Sequence, residues 1–156
     1  MLKMVSNLKS VTSELIGRLK AISDANSPTR DKMLRTVALD AAANIKTRIH
    51  TDGKNSADQP LGEYTNAYMK KRQENKRGPS KKIIFSLTRQ MENDFSLVAA
   101  NGATGYGLGF KNPDNAQKAE WLQENKKFGA VYKPTQYEVE QMRLVTEQFI
   151  VDLLNQ

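Results

Sequence analysis

Apolar residues recur every three or four positions along three separate stretches of this chain. Between two of those stretches lies a run with no period at all. That contrast limits the fold more than any single motif. Residues 3–23 carry Val5, Leu8, Val11, Leu15, Leu19 and Ile22, the spacing of an amphipathic helix. Ala25, Asn26 and Ser27 break it. Ser27-Pro28 then restarts it, with Ser27 as N-cap and proline in the first turn, where its missing N–H costs little. A second helix to about Ile49 places Leu34, Val37, Ala38, Ala41, Ile45 and Ile49 on one face. The alanines at 41–43 allow another element to come close. Near the other end, Thr135-Gln136-Tyr137-Glu138 is a capping box. It opens a helix with Val139, Met142, Val145, Phe149 and Leu153 on one side.

Residues 51–80 are rich in Asp, Asn, Gly, Ser, Pro and Lys. A structureless stretch of that length is unusual inside a compact domain, so it reads as a long extended loop or arm. Asp52-Gly53 stops the helix before it. Asp52, Gly53, Pro60, Leu61, Tyr64 and Tyr68 are candidate residues of an inter-subunit arm, with Pro60 to Tyr64 docking it on a neighbouring subunit. EYTNAYMKKRQ is expected to form a short helix with Tyr64 and Tyr68 one turn apart.

Between the arm and the final helix the pattern changes. KIIFSL (82–87) is β-branched and aromatic and predicts a strand, followed by a turn or one helical turn over Thr88–Asp94. FSLVAA (95–100) predicts a second strand, and TGYGLGF (104–110) a third. Asn101-Gly102 between the last two is a hairpin signal. Gly105, Gly107 and Gly109 alternate with Tyr106, Leu108 and Phe110, leaving one face bare for a helix or another subunit. Residues 112–127 predict a helix capped by Asn112 or Asp114, with Ala119, Trp121 and Leu122 apolar. FGAVYKP (128–134) is a candidate short strand, and Phe128–Tyr132 reads as either core or subunit interface. The expected class is α+β, one domain over 1–156. N-terminal helices and a long C-terminal helix pack on a small antiparallel sheet, with a long extended loop.

Composition narrows the chemistry. The chain has no cysteine, which removes disulfides, thiolate metal sites and cysteine nucleophiles. No run approaches the ~20 apolar residues of a membrane span, and lysines and serines interrupt any signal-peptide core near the start. A soluble protein of a reducing cytoplasm, with no membrane partner, is expected. The net charge is +7, but residues 70–82 hold seven basic residues against Glu74, giving +6 and leaving +1 for the rest. From Thr135 onward, Glu138, Glu140, Glu147 and Asp152 face Arg143 alone. Such polarity suits nucleic acid, or a second copy presenting the opposite sign.

The oxygen-rich stretch HTDGKNSADQ invites a metal reading and fails it. Gly53 directly follows Asp52, unlike the spacing of a calcium loop, and one histidine without cysteine does not make a zinc site. His50, at a helix end, reads as a dipole partner or a surface residue. No G-x-S-x-G, phosphate loop or dinucleotide fingerprint is present. Glu120, Glu124, Glu138 and Glu140 are the candidate carboxylates; Glu120 and Glu124, one turn apart on a lysine-rich helix, read as a solvated face before a catalytic pair, and Trp121 reads as a core residue. No catalytic residue, metal or cofactor is assigned, and the expectation is a protein that is not an enzyme. The basic residues Lys70, Lys71, Arg72, Lys76, Arg77, Lys81 and Lys82 carry three readings: a solvated loop, a protein-partner contact, or a phosphate contact. In the last reading Tyr64 and Tyr68 add stacking surface.

The order of segments is itself a pattern: IKTRIHTDG, then QPLGEYTNAYMKKR, then KIIFSLTRQMENDF, a glycine-rich hairpin, a helix, and FGAVYKPTQYEVEQM. Over residues 40–150 it resembles the tail-completion or neck proteins of tailed bacteriophages, often grouped as virion morphogenesis proteins. Two departures stand out. Thr88-Arg89 replaces the Thr-Gly that the family usually carries, and the helix around Trp121 replaces an aromatic-His-Gly segment. The resemblance implies a non-catalytic virion protein of the neck or tail, assembled in the host cytoplasm. It implies a homo-oligomeric ring, as head-tail connector or tail terminator, between portal and tail proteins. DNA would pass through its lumen. The alternative is a nucleic-acid-binding module using residues 70–82.

Overall fold

A computed structural model describes residues 2–86, 88–99 and 105–156, with side chains from residue 11 onward. The described residues form α1 (Leu2–Ser23), α2 (Pro28–Thr47), a π-helical turn (Arg48–Asp52), α3 (Asn66–Glu74), α4 (Gln90–Asp94), β1 (Phe95–Ala99), β2 (Tyr106–Phe110), α5 (Pro113–Glu124) and α6 (Gln136–Leu154). The class is α+β, with a small antiparallel sheet and a long C-terminal helix. Among the described residues, no helix is long and apolar enough to cross a membrane.

The helix signals act where the sequence places them. The Ser27 hydroxyl accepts from the Thr29 amide, and Asn112 accepts from that of Asp114. At α6 the Thr135 hydroxyl accepts from the Glu138 amide at 3.0 Å, and the Glu138 carboxylate accepts from the Thr135 amide at 2.7 Å. α6 packs on α2, and α2 also lies over both strands.

The core sits where α2, the sheet and the irregular segments meet. Ala42, Ile45, Ile49, Leu61, Ile83, Phe95 and Val131 are buried together. Phe95, Phe110 and Tyr132 form a ring cluster with centroids 5.0 to 5.3 Å apart, within the favourable range for tilted and edge contacts. Phe85 meets Phe128 edge-on at 5.1 Å, so Phe128 and Tyr132 are core packing in this chain.

Three expectations need correction. Among the described residues the sheet has two strands. Residues 82–86 make an isolated bridge, Glu63 to Lys82, and Leu87 lies outside the described residues. The amides of Ile83 and Ile84 go to the Gly62 carbonyl and the Tyr64 hydroxyl, so loop partners take the place of a ladder. Residues 128–134 form no strand either. Gly129 adopts φ +65°, and the Asn55 side chain and Ser56 amide take the carbonyls of Phe128 and Ala130. Trp121 is 61% exposed, while its neighbour Ala119 is buried, so α5 rests on its small residue.

The Asn101-Gly102 turn lies outside the described residues. The described register ends with Ala99 paired to Tyr106. Among the described residues, a Cβ built on Gly107 or Gly109 meets Val98 alone within 4 Å.

Candidate functional site

The aperiodic segment is folded back on its own domain. Gly53 ends the π-helical turn in the left-handed region at φ +65°, and a Cβ there would lie 2.5 Å from the Ile83 carbonyl oxygen. Asn55 is buried. Its side-chain oxygen accepts from the amides of Ala57 and Gln59, and its NH2 donates to the Phe128 carbonyl. The oxygen that looked available for a cation therefore holds the loop's own backbone. Asp58 pairs with Lys54 at 3.0 Å, and Asp52 is exposed. Pro60 is bridged to Lys54, and Leu61 is 2% exposed in the core. The arm residues Gly53, Pro60, Leu61 and Tyr64 thus engage their own chain.

α3 carries three of the seven basic residues, Lys70, Lys71 and Arg72. Its N-cap is Thr65, and it buries Met69 and Arg72. Arg72 is 2% exposed. Its guanidinium lies 4.6 Å from the centre of the Tyr64 ring and reaches the Ser86 carbonyl at 3.5 Å. Tyr68 stacks on Tyr64 at 4.8 Å, and burial raises the Tyr68 hydroxyl above its ordinary pKa. Arg72 is thereby removed from the surface set by cation–π packing, and the Tyr64 ring is engaged from within. Lys70, Lys71, Lys76, Lys81 and Lys82 are exposed, and Arg77 is half-buried. Lys82 runs its methylenes past Gly53.

His50 is buried, contrary to a surface reading. Its Nδ1 donates to the Ile84 carbonyl at 2.9 Å. Burial is the largest influence on it and lowers its pKa below the ordinary 6.5, while the Ile84 carbonyl and Glu92 act the other way. Among the described residues, no group of three acidic or histidine side chains is placed to hold a metal ion.

The strongest polar feature was not anticipated. Arg48 leaves the end of α2 with its side chain 7% exposed, and its Nε donates to Glu138 Oε1 at 2.8 Å. Its two Nη groups donate to the carbonyls of Lys54, Val131 and Lys133 at 2.9 to 3.1 Å. The other oxygen of Glu138 closes the capping box, so both are occupied. Five contacts around one buried pair join α2, the Asn55 loop, the 131–133 segment and the start of α6. An arginine at the end of an apolar helix and a capping glutamate are each visible in the sequence. Their pairing, across 90 residues, is not. A cleft of about 660 Å³ opens beside the pair, lined by Asn44, Asp52, Ser56, Asp58, Gln136 and Tyr137.

Large apolar side chains stay uncovered on the long helices. On α1, every described residue from 11 to 17 is exposed, including Val11 at 53%, Leu15 at 38% and Ile16 at 47%. On α6, Tyr137, Leu144 and Val151 are 70%, 43% and 48% exposed. Compared with known proteins, the chain matches no family model, no curated protein and no solved structure.

Proposed function

We propose that this chain is a structural subunit of a tailed-phage virion. In this reading its copies form a ring in the neck, as a head-to-tail connector or tail-completion component, and join portal to tail by subunit contacts. Its role is assembly rather than catalysis. The observation that carries this is α1. Residues 11–17 of that helix are exposed on every side, apolar ones included. A helix so placed draws little stability from its own domain, because helices in water rely on packing one face against something. Covering by another chain supplies that face.

The segment order quoted above supports the virion assignment, and one backbone detail adds to it. Arg89 stands where the resembled family usually has glycine, and it adopts φ +60°, the conformation glycine favours. The test is native mass measurement and electron microscopy of the protein co-expressed with portal and tail proteins from its own gene neighbourhood. Rings bound to either end are the expected result. A monomer that binds neither would defeat the reading.

A second reading rests on the five lysines that remain exposed at 70, 71, 76, 81 and 82. In it the segment contacts the phosphates of DNA. Lys70→Glu with Lys71→Glu would weaken binding and flatten its salt dependence by about 0.9 in slope for each lost phosphate contact. No binding to duplex or single strands at low salt would remove it.

A further inference from the structure

The exposed face of α1 has a complementary surface elsewhere on the same chain. Tyr137, Leu144 and Val151 stand seven residues apart on α6 and are all exposed. Seven residues are two helical turns less about 20°, so the three form one stripe roughly 21 Å long. α6 turns its other side to α2, leaving this stripe without cover in the subunit. α1 carries Val11, Leu15, Ile16 and Leu19, exposed by 38 to 53%, with Val11, Leu15 and Leu19 four residues apart and Ile16 beside Leu15.

The charges of the two helices are opposite. The α1 sequence has Lys3, Lys9, Arg18 and Lys20 against Glu14, a net of +3. The α6 sequence has Glu138, Glu140, Glu147 and Asp152 against Arg143, a net of −3. Removing Glu138, which Arg48 neutralises, leaves −2 for the exposed set. Glu140 and Glu147 lie one turn to either side of Leu144, along the stripe.

Within one subunit the described residues of the two faces stay exposed. α1 touches α6 at the far end of α6, where Arg18 Nη1 donates to the carbonyls of Leu153 and Leu154 at 3.2 and 2.9 Å. That contact caps the negative end of the α6 dipole. Before it, α1 residues 11–17 are exposed.

We infer that α1 of one copy of this chain lies along the Tyr137–Leu144–Val151 stripe of the next copy. The contact rests on the ring reading above and gives it an interface. It is heterologous: each subunit gives α1 to one neighbour and receives α1 from the other on α6, which is the arrangement that closes a ring. Apolar burial supplies affinity, and the opposite net charges of the two helix sequences set which faces meet. Like-charged pairings, α1 on α1 or α6 on α6, are disfavoured by the same balance.

Because the chain has no cysteine, engineered thiols report on this contact alone. Single variants Val11→Cys and Ile16→Cys on α1, and Leu144→Cys and Val151→Cys on α6, are mixed in α1-plus-α6 pairs and oxidised. Native mass is measured in parallel. Expected is a disulfide-linked dimer in at least one mixed pair, several-fold above either variant alone and abolished by adding Leu144→Asp to the Val151→Cys partner or Lys20→Glu to the α1 partner. Assembly with self-crosslinking only, or with none in any mixed pair, overturns the α1-on-α6 contact and leaves the ring reading standing. A monomer throughout, with no crosslink, removes both.

Discussion

Removing the Glu138 side chain is expected to be the most damaging single truncation at the polar junction. Glu138→Ala takes away the carboxylate paired with Arg48, whose side chain is 7% exposed. The guanidinium keeps three backbone carbonyls, at 2.9 to 3.1 Å, which are dipoles and not charges. Breaking a buried pair from one side costs about 3–5 kcal/mol, because the remaining charge stays desolvated. The same substitution leaves the Thr135 amide without its capping partner, a loss of about 1 kcal/mol that partly overlaps the first. A domain of this kind has roughly 5–15 kcal/mol in total, so the loss is a large share of it.

In urea, with a slope of about 2 kcal/mol per M, the midpoint should fall by roughly 1.5–2.5 M. Glu140→Ala is the control. Glu140 pairs with Arg143 on the exposed side of α6, so its removal should leave the midpoint within error of the parent. The double variant Arg48→Met with Glu138→Leu should recover much of the loss, since it leaves no charge stranded. A midpoint for Glu138→Ala indistinguishable from that of Glu140→Ala would refute the claim that this pair holds α2, the Asn55 loop and α6 together.

Other outcomes follow from single positions. Gly53→Ala should lower stability by at least about 2 kcal/mol, since the left-handed conformation costs an L-residue ~1–2 kcal/mol and the added Cβ meets the Ile83 carbonyl at 2.5 Å. Arg89→Gly, at φ +60°, should do the reverse by up to about 1 kcal/mol; equal signs in thermal melts would contradict both backbone assignments. His50 is buried with its pKa below the ordinary 6.5, so the unfolded chain binds its proton more readily than the folded one. Stability from this group is therefore full above about pH 6.5 and declines as pH falls. His50→Gln should flatten that slope between about pH 7 and pH 5, where few other side chains titrate, and an unchanged slope would argue against a buried neutral imidazole. Trp121, the only tryptophan, is 61% exposed, so its fluorescence should be red-shifted and freely quenched by acrylamide, and a blue, protected emission in the monomer would be inconsistent with α5 as described.

What the sequence determined by itself was local. Helix starts follow from capping chemistry within four residues, which is why Ser27, Asn112 and Thr135 stand at the predicted ends of α2, α5 and α6. The α+β class followed from the two apolar periods, and the stacking of Tyr68 on Tyr64 from one turn of spacing. Tertiary structure decided what lies on each side of those elements. KIIFSL has strand propensity, yet a strand exists only if a neighbouring strand accepts its ladder, and here Gly62 and Tyr64 take the amides instead. Arg72 and His50 are polar by type and buried by circumstance, one held against Tyr64 and the other against the Ile84 carbonyl. Trp121 is apolar by type and left outside because α5 seats Ala119 on the domain. The Arg48–Glu138 pair joins residues 90 positions apart, a distance at which local propensity carries no information. Burial and pairing are properties of the assembled packing, and only the folded chain fixes which charges are shared within it and which remain for a partner.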